Sequence, residues 1–139
     1  MSEMRNRGAV VFGDLLGDES EKHLREEMSA ATRGFGSLTA DFSADFAFGT
    51  IWAREGLERK QRSLVVLGIL IALRQVEELK IHVGIALSNG LTVREIEEVL
   101  YQSIPYVGFP AVNSAKVAMI EALQSLQTQT RDAAADKMP

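Results

Sequence analysis

The stretch VEELKIHVGIALSNGLTVREIEEVL, residues 76–100, decides the fold class. Over Val76–Ser88 the apolar residues recur at helical spacing, and Asn89-Gly90 then supplies a left-handed stop. Thr92, followed three residues later by Glu95, forms a capping box that starts another helix. The stretch therefore predicts two consecutive helices with a tight turn between them.

Most other apolar residues also fall at helical spacing, and there is no convincing period-2 alternation of the kind that strands show. We therefore predict an all-α fold, a compact helical bundle of about six helices. The expected helices are Gly8–Leu16, Asp18 to about Thr32, one capped by Ser37 or Thr39 that carries Phe42, Phe46, Phe48 and Trp52 and ends at Gly56, Glu58 to about Leu73, Val76–Ser88, Val93 to about Ile104, and Ala111 to about Ser125.

The helix from Glu58 to Leu73 is apolar on nearly every side after Ser63, so we expect it to be central and surrounded by other helices. Gln127–Pro139 is polar and Ala-rich without an apolar stripe, which is typical of a flexible tail. We therefore predict one domain over residues 1–126 and a flexible tail over 127–139.

Composition excludes several classes of function. The 139 residues carry a net charge of −4 and only 6% aromatics, which disfavours binding to nucleic acid. The absence of cysteine excludes thiol redox chemistry. Apolar runs are too short for a membrane span, and Asp14 interrupts the N-terminal apolar stretch before it reaches the length of a signal peptide. We expect a cytoplasmic protein without membrane contact.

Glu78 and His82 are the candidate catalytic residues. Side chains four residues apart share a helix face, and the histidine pKa lies close to neutrality, so this pair is suited to proton transfer. His82 would act as the acid, while Glu78 raises its basicity and fixes its tautomer. A structural polar pair that closes a helix interface is the alternative. Two distant histidines without a carboxylate cluster give no metal-ligand spacing, so we expect no metal.

Several further segments, in order along the chain, resemble the carboxymuconolactone decarboxylase family within the alkylhydroperoxidase D-like superfamily. The resemblance implies an all-helical subunit that forms a homo-oligomer, a trimer or a hexamer. It also implies cofactor-free decarboxylation of a small-molecule substrate, 4-carboxymuconolactone, in the breakdown of aromatic compounds. The segments that carry it are Phe48–Arg54, Arg62-Ser63, Glu77–His82, Ala86–Thr92 and Tyr106–Ala115.

The chain departs from this superfamily at two places. The redox branch carries a Cys-x-x-Cys pair just before the helical histidine, whereas this chain has Gln75 and Glu78 near those positions. The decarboxylases of the family place an arginine pair in the N-terminal segment, where this chain has Phe12 and Gly13. Arginine forks bind carboxylates, so their replacement should weaken binding of a substrate with two carboxylates.

Five residues are candidates for substrate binding, each with a structural alternative. Arg62 could bind a carboxylate, or it could be a solvated helix end or part of a salt bridge between subunits. Trp52 could line a pocket, although a lone tryptophan among phenylalanines is more often core. Tyr106, Gly108 and Asn113 surround a turn whose backbone amides could face a ligand, and which could equally be a tight corner between helices.

Three hypotheses for the function remain open. The first is a cofactor-free decarboxylase of a small unsaturated lactone carboxylate, with proton transfer at His82. The second is a different acid–base reaction, such as isomerisation, cyclisation or elimination, on a less anionic molecule, which the residues Phe12 and Gly13 favour. The third is a noncatalytic oligomeric binding protein. In each case exposed apolar stripes on a small helical subunit favour assembly into oligomers.

Overall fold

The computed structural model describes residues 2–29 and 34–138. The secondary structure within these ranges is helical and includes no strand, which confirms the predicted all-α class. The elements are α1 (Glu3–Leu16), α2 (Asp18–Ser29), α3 (Leu38–Phe42), a π-helix (Ser43–Trp52), α4 (Arg59–Ala72), α5 (Val76–Ser88), α6 (Val93–Val107) and α7 (Phe109–Asp136).

Proximity of Cα atoms groups the chain into two units, residues 1–59 and 60–139. A grouping by proximity does not establish independent folding, so the single domain over residues 1–126 stays a prediction. The first unit contains α1, α2, α3 and the π-helix, and the second contains nearly all of α4 with α5, α6 and α7.

In the first unit, α1 lies directly against the backbone of the π-helix. A Cβ atom added to Gly8 would collide with the carbonyl group of Ala44, 2.7 Å from its carbon atom. A Cβ atom added to Gly49 would come within 2.5 Å of the same carbonyl oxygen and 2.6 Å of the Met4 carbonyl oxygen. Real Cβ atoms do not approach backbone so closely, and these two glycines therefore permit the contact.

Side chains then hold α1 to the π-helix. The Arg5 guanidinium donates hydrogen bonds of 3.0 and 2.6 Å to the two carboxylate oxygens of Asp45. The Phe12 and Phe48 rings meet edge to face, with centroids 4.9 Å apart and planes at 77°, a favourable arrangement of aromatic quadrupoles.

The predicted single helix after residue 37 is instead divided. It begins as the short helix α3 and continues as the ten-residue π-helix, which ends at Trp52 rather than at Gly56. Inside the π-helix the Thr50 hydroxyl donates to the Asp45 carbonyl oxygen at 2.7 Å, across five residues. A π-helix of this length is rare and has no recognisable sequence signal, which explains why helical periodicity did not reveal it.

The second unit has a core of branched apolar and alanine side chains. Helix α7 packs against α5 and α6, and α5 also contacts α6. The capping box predicted at Thr92 and Glu95 is confirmed, with both reciprocal hydrogen bonds at 3.1 Å. The buried cluster comprises Leu67, Ile71, Leu79, Val83, Ala86, Leu91, Ile96, Leu100, Val112, Ala115, Ala118, Met119 and Ala122.

Two predicted helix ends were wrong, because one helix continues through a proline and the other continues through a polar segment. Pro105 lies inside α6, which continues to Val107 and ends at Gly108, whose φ is +85°. The Gly108 amide still donates to the Ile104 carbonyl at 3.0 Å, so the last turn closes despite the proline.

Helix α7 continues well past the predicted end near Ser125. It runs to Asp136, and its residues after Leu126 are exposed, so the polarity of this segment reflects a solvated helix rather than the loss of helical structure. The flexibility of residues 127–139 stays a prediction. Although α7 has 28 residues, no helix in the described ranges is long and apolar enough to cross a membrane.

Helix α4 is not enclosed on every side, contrary to the prediction. Leu67 and Ile71 are buried, whereas Val65 and Ile69 are 54% and 50% exposed, and Leu73, directly after the helix, is 62% exposed. The apolar residues of α4 thus form one buried stripe and one exposed stripe. The exposed stripe is of the kind that a further subunit would cover. Other boundaries agree with prediction more closely: α5 matches exactly, α1 begins five residues early, and the expected end of α2 near Thr32 lies outside the described residues.

Candidate functional site

Helix α5 carries the candidate catalytic pair one turn apart. Its buried face consists of Leu79, Val83, Ile85 and Ala86, and His82 is half buried beside them. Glu78 lies on the exposed part of the same helix. His82 therefore lies at the edge of the buried face of α5.

Two opposing influences act on the His82 imidazole. Burial lowers the pKa of His82 below its ordinary value of 6.5, because the charged form loses hydration. The negative charge of Glu78 raises the pKa of His82, but this influence is the smaller of the two. The imidazole is therefore predominantly neutral at pH 7, and it can accept a proton when a negative ligand approaches.

Ser63 and Asn89 connect the start of α4 to the end of α5. The Asn89 side-chain amide donates to the Ser63 hydroxyl oxygen at 2.9 Å, and Ser63 is only 2% exposed. Neither residue is among the site residues that the sequence predicts. Two spacings could have indicated them. Ser63 lies four residues before Leu67, on the buried stripe of α4, and Asn89 lies seven residues after His82, on the same face of α5.

The five candidate substrate-binding residues are spread over both units. Arg62 lies half buried in the first turn of α4, one residue before Ser63. Trp52 ends the π-helix in the first unit and is 8% exposed, as expected for the core alternative. At the α6–α7 corner, Tyr106 is 81% exposed, Gly108 has the positive φ that ends α6, and Asn113 is exposed.

The structure thus brings Glu78 and His82 together on α5, and it places Arg62 beside the Ser63–Asn89 hydrogen bond. Tyr106, Gly108 and Asn113 lie at the α6–α7 corner. The roles of all these residues stay predictions. A groove of about 480 Å³ elsewhere on the second unit contains none of them; it is lined by Leu64, Gly68, Glu95, Glu98, Val99, Gln102 and Ser103.

Phe12 and Gly13 both pack against other residues of the first unit. Phe12 packs against Phe48. A Cβ atom on Gly13 would lie 2.9 Å from the Glu21 Cβ atom, so a larger residue there would displace α2. Neither position offers a cation to a carboxylate.

No group of three or more His, Asp and Glu residues within 2–29 and 34–138 is arranged to hold a metal ion. The second histidine, His23, is 73% exposed on α2 and lies 3.4 Å from Glu27.

These features define a class of all-α proteins that carry a half-buried histidine beside a glutamate on a core helix. The chain belongs to the carboxymuconolactone decarboxylase family, whose sequence model matches residues 38–121. The matched range extends from the start of α3 into the first half of α7 and includes Glu78 and His82. The fold is accordingly alkylhydroperoxidase D-like.

Two relatives are decarboxylases of different acids. The chain is 33% identical over 109 residues to 4-carboxymuconolactone decarboxylase of Acinetobacter baylyi, which covers 78% of each protein. It is 35% identical over 112 residues to nitrosuccinic acid decarboxylase npaB of Metarhizium robertsii, which covers 81% of this chain and 76% of that protein. The family and its relationship to decarboxylases are therefore shown, and the two relatives differ in substrate.

Proposed function

We propose that this chain is a cofactor-free decarboxylase of a small carboxylic acid and that His82 supplies the proton that replaces carbon dioxide. The observation that carries the proposal is the half-buried His82 beside Glu78 on α5, inside the segment matched by the family. The two decarboxylase relatives support the reaction class.

The acids named for the two relatives share a chemical property. Loss of carbon dioxide from a carboxylate leaves an electron pair on carbon, which the unsaturated lactone of one acid or the nitro group of the other can accept. The substrate itself thus provides the electron acceptor, and the enzyme needs to stabilise the developing negative charge and protonate carbon. Overall, one carboxylate and one proton become one carbon–hydrogen bond and carbon dioxide.

His82 is suited to this cycle because its protonation depends on its surroundings. In the free protein burial favours the neutral imidazole. A bound carboxylate would favour the imidazolium, so the ring would take up a proton as the substrate binds and transfer it to carbon after carbon dioxide leaves. Glu78 would assist by stabilising the same charged form.

We test this function with 4-carboxymuconolactone and nitrosuccinic acid in parallel, each with chelator present and with an enzyme-free reaction as the reference. Carbon dioxide release and ultraviolet absorbance are followed for the wild type, His82→Ala and His82→Gln. We expect turnover of one of these acids and a loss of about 10²- to 10⁴-fold in both variants, the usual contribution of a general acid.

The matched control is His23→Ala, which removes the other histidine from an exposed position and should leave turnover unchanged. Wild-type turnover that survives His82→Ala would contradict the role of His82. No acceleration of either acid by folded protein would contradict the proposed decarboxylation of these substrates.

A different acid–base reaction on a less anionic molecule is the second candidate. It is favoured by residues 12 and 13, because a packed phenylalanine and a tightly enclosed glycine stand there in place of the arginine pair. This candidate would be supported if the protein turned over a neutral lactone and neither of the two acids. If neither reaction occurs but a small acid binds, the noncatalytic binding protein becomes the better proposal.

We further propose that the protein works as a homo-oligomer, a trimer or a hexamer, in the cytoplasm. The exposed apolar stripe formed by Val65 and Ile69 of α4 and by Leu73 directly after it supports assembly. If 4-carboxymuconolactone is the substrate, the reaction belongs to the degradation of aromatic compounds. Sedimentation analysis of the purified chain tests the assembly, and a stable monomer would contradict it.

A further inference from the structure

The buried hydrogen bond between Ser63 and Asn89 is an unusual feature of an otherwise apolar interface. Among the described residues of the second unit, Ser63 is the buried polar side chain. It continues the stripe formed by Leu67 and Ile71, where an apolar residue would avoid the cost of burying a hydroxyl group. A polar pair in such a position defines one relative placement of the helices, because only that placement satisfies both partners.

The bond fixes how far α4 extends along α5. The helices are joined by the short turn of residues 73–75, and such short connections join antiparallel neighbours. Leu67 and Ile71 of α4 belong to the same buried cluster as Leu79 and Val83 of α5. At the other end of the pair, Asn89 caps α5 and donates to Ser63 at 2.9 Å. The hydrogen bond thus closes the open end of this helical hairpin.

Asn89 also lies on the same face of α5 as the candidate catalytic pair. Positions 78, 82 and 89 are separated by four and seven residues, which an α-helix places along one line. Seven residues correspond to about 10 Å along the helix axis. Arg62 directly precedes Ser63, so the hydrogen bond holds the start of α4, with Arg62, at the level of Asn89 along α5.

We propose that Ser63 and Asn89 are positioning residues that set the separation between Arg62 and His82, and that Arg62 binds the substrate carboxylate that is retained. This inference rests on the proposed decarboxylase function. A planar guanidinium binds a carboxylate through two parallel hydrogen bonds, which also fixes its orientation. The substrate class is then a small dicarboxylate that loses the carboxyl group nearer His82. Such a subsite in the second unit does not require a cation at position 12 or 13.

The test compares a dicarboxylate with an analogue in which a methyl group replaces the retained carboxylate. Nitrosuccinic acid and 2-nitrobutanoic acid form such a pair. For Asn89→Ala we expect KM for nitrosuccinic acid to rise about fivefold, the usual effect of one hydrogen bond, with kcat nearly unchanged. KM for 2-nitrobutanoic acid should not change, because that substrate lacks the group held by Arg62.

Ser63→Ala removes the same hydrogen bond from the other side, so the effects of the two changes on KM should be less than additive in the double variant. Asn89 is half buried rather than buried, so Asn89→Ala provides the result if Ser63→Ala fails to fold. The matched control is Asn6→Ala, an exposed asparagine on α1. Equal KM changes for both substrates, or a loss confined to kcat, would overturn the positioning role.

A binding measurement separates this inference from the proposed function. Succinate is an unreactive dicarboxylate, and calorimetry gives its Kd for the wild type, Arg62→Gln and Asn89→Ala without any turnover. We expect weaker binding in both variants and no change in Asn6→Ala. Succinate binding that is undetectable in the wild type, or equal in all variants, overturns the Arg62 subsite. Failure of the wild type to release carbon dioxide overturns only the decarboxylase function.

Discussion

In the first unit α1 and the π-helix touch backbone to backbone, whereas the helices of the second unit meet through side chains. In the first, Gly8 and Gly49 allow α1 to touch the Ala44 carbonyl group of the π-helix. In the second, branched residues such as Leu67 and Val83 fill the space between helices. A side-chain core can relax around a changed residue, but backbone in contact with backbone has little freedom to move. The two units should therefore respond differently to the addition of a single methyl group.

Of the substitutions considered, Gly8→Ala should change the free energy of unfolding the most. Its new methyl group would collide with the Ala44 carbonyl group, so we expect a loss of about 3 kcal/mol of unfolding free energy. Denaturant unfolding measures the loss, and hydrogen exchange locates it. Protection should fall first in α1 and the π-helix. Equal loss of protection in α5 and α7 would contradict a difference between the units.

Gly68→Ala is the matched control in the second unit. Gly68 lies within α4, and a Cβ atom there would meet no atom within 4 Å. Alanine has the higher helix propensity, so this variant should gain about 0.5–1 kcal/mol. Destabilisation by this change would show that the α4 surface is more constrained than its open surroundings indicate.

Gly13→Arg tests whether the first unit can accept one arginine of the pair that the family's decarboxylases carry in this segment. Its Cβ atom would crowd the Cβ atom of Glu21, so we expect a loss of about 1–3 kcal/mol. Phe12→Arg is the companion change and would give up the edge-to-face contact with Phe48. Thermal melting measures both. A stable Gly13→Arg protein with a lower KM for a dicarboxylate would contradict our account of this position.

Thr92→Ala tests a local contact of the second unit. It removes the hydroxyl that accepts from the Glu95 amide at 3.1 Å, and such caps contribute about 1 kcal/mol. Thr128→Ala, on the exposed part of α7, is the control. Chemical denaturation of the two variants should show a loss only for Thr92→Ala. An equal change in both would mean that the capping box contributes little.

Glu78→Gln tests the electrostatics of the candidate site and should have the smallest effect on stability. The Glu78 charge raises the pKa of His82, so its removal should lower that pKa further. Nuclear magnetic resonance titration of the imidazole measures the shift. Glu77→Gln is the control, because that carboxylate is exposed and pairs with Lys80 at 3.2 Å. A pKa that rises in Glu78→Gln would contradict the assigned influence.

The same pKa gives a pH dependence of stability. Because the folded-state pKa of His82 is lower than the unfolded value of 6.5, the unfolded chain binds more protons between these two values. The stability from neutral His82 is present above pH 6.5 and is lost as pH falls through the folded-state pKa. His82→Gln should remove this part of the pH dependence. An unchanged pH profile in that variant would show that other groups produce it.

The second unit was largely predictable because its signals are local. Apolar spacing gave the bounds of α5, and Thr92 with Glu95 gave the start of α6. Pro105 misled the prediction because a proline near the end of a helix loses one hydrogen bond while the following turn still closes. The face shared by Glu78 and His82 also followed from spacing.

The remaining features depend on contacts between residues distant in sequence. The Ala44 carbonyl group leaves no room for a Cβ atom at Gly8, and the Asn89 side chain donates its hydrogen bond to Ser63. Helical periodicity reports which face of a helix is apolar, but it does not report which neighbour approaches or whether helical turns widen into a π-helix. Such features require the coordinates of both partners.

The exposed end of α7 offers a way to measure the assembly of the protein. The helix extends about 15 Å from Leu126 to Asp136 at the α-helical rise, and its side chains over this length are exposed. Because the sequence contains no cysteine, Ala135→Cys would introduce one thiol for a fluorescent dye. Dyes on neighbouring subunits would then report their separation by energy transfer, from positions that leave the buried core and the Glu78–His82 pair unaltered.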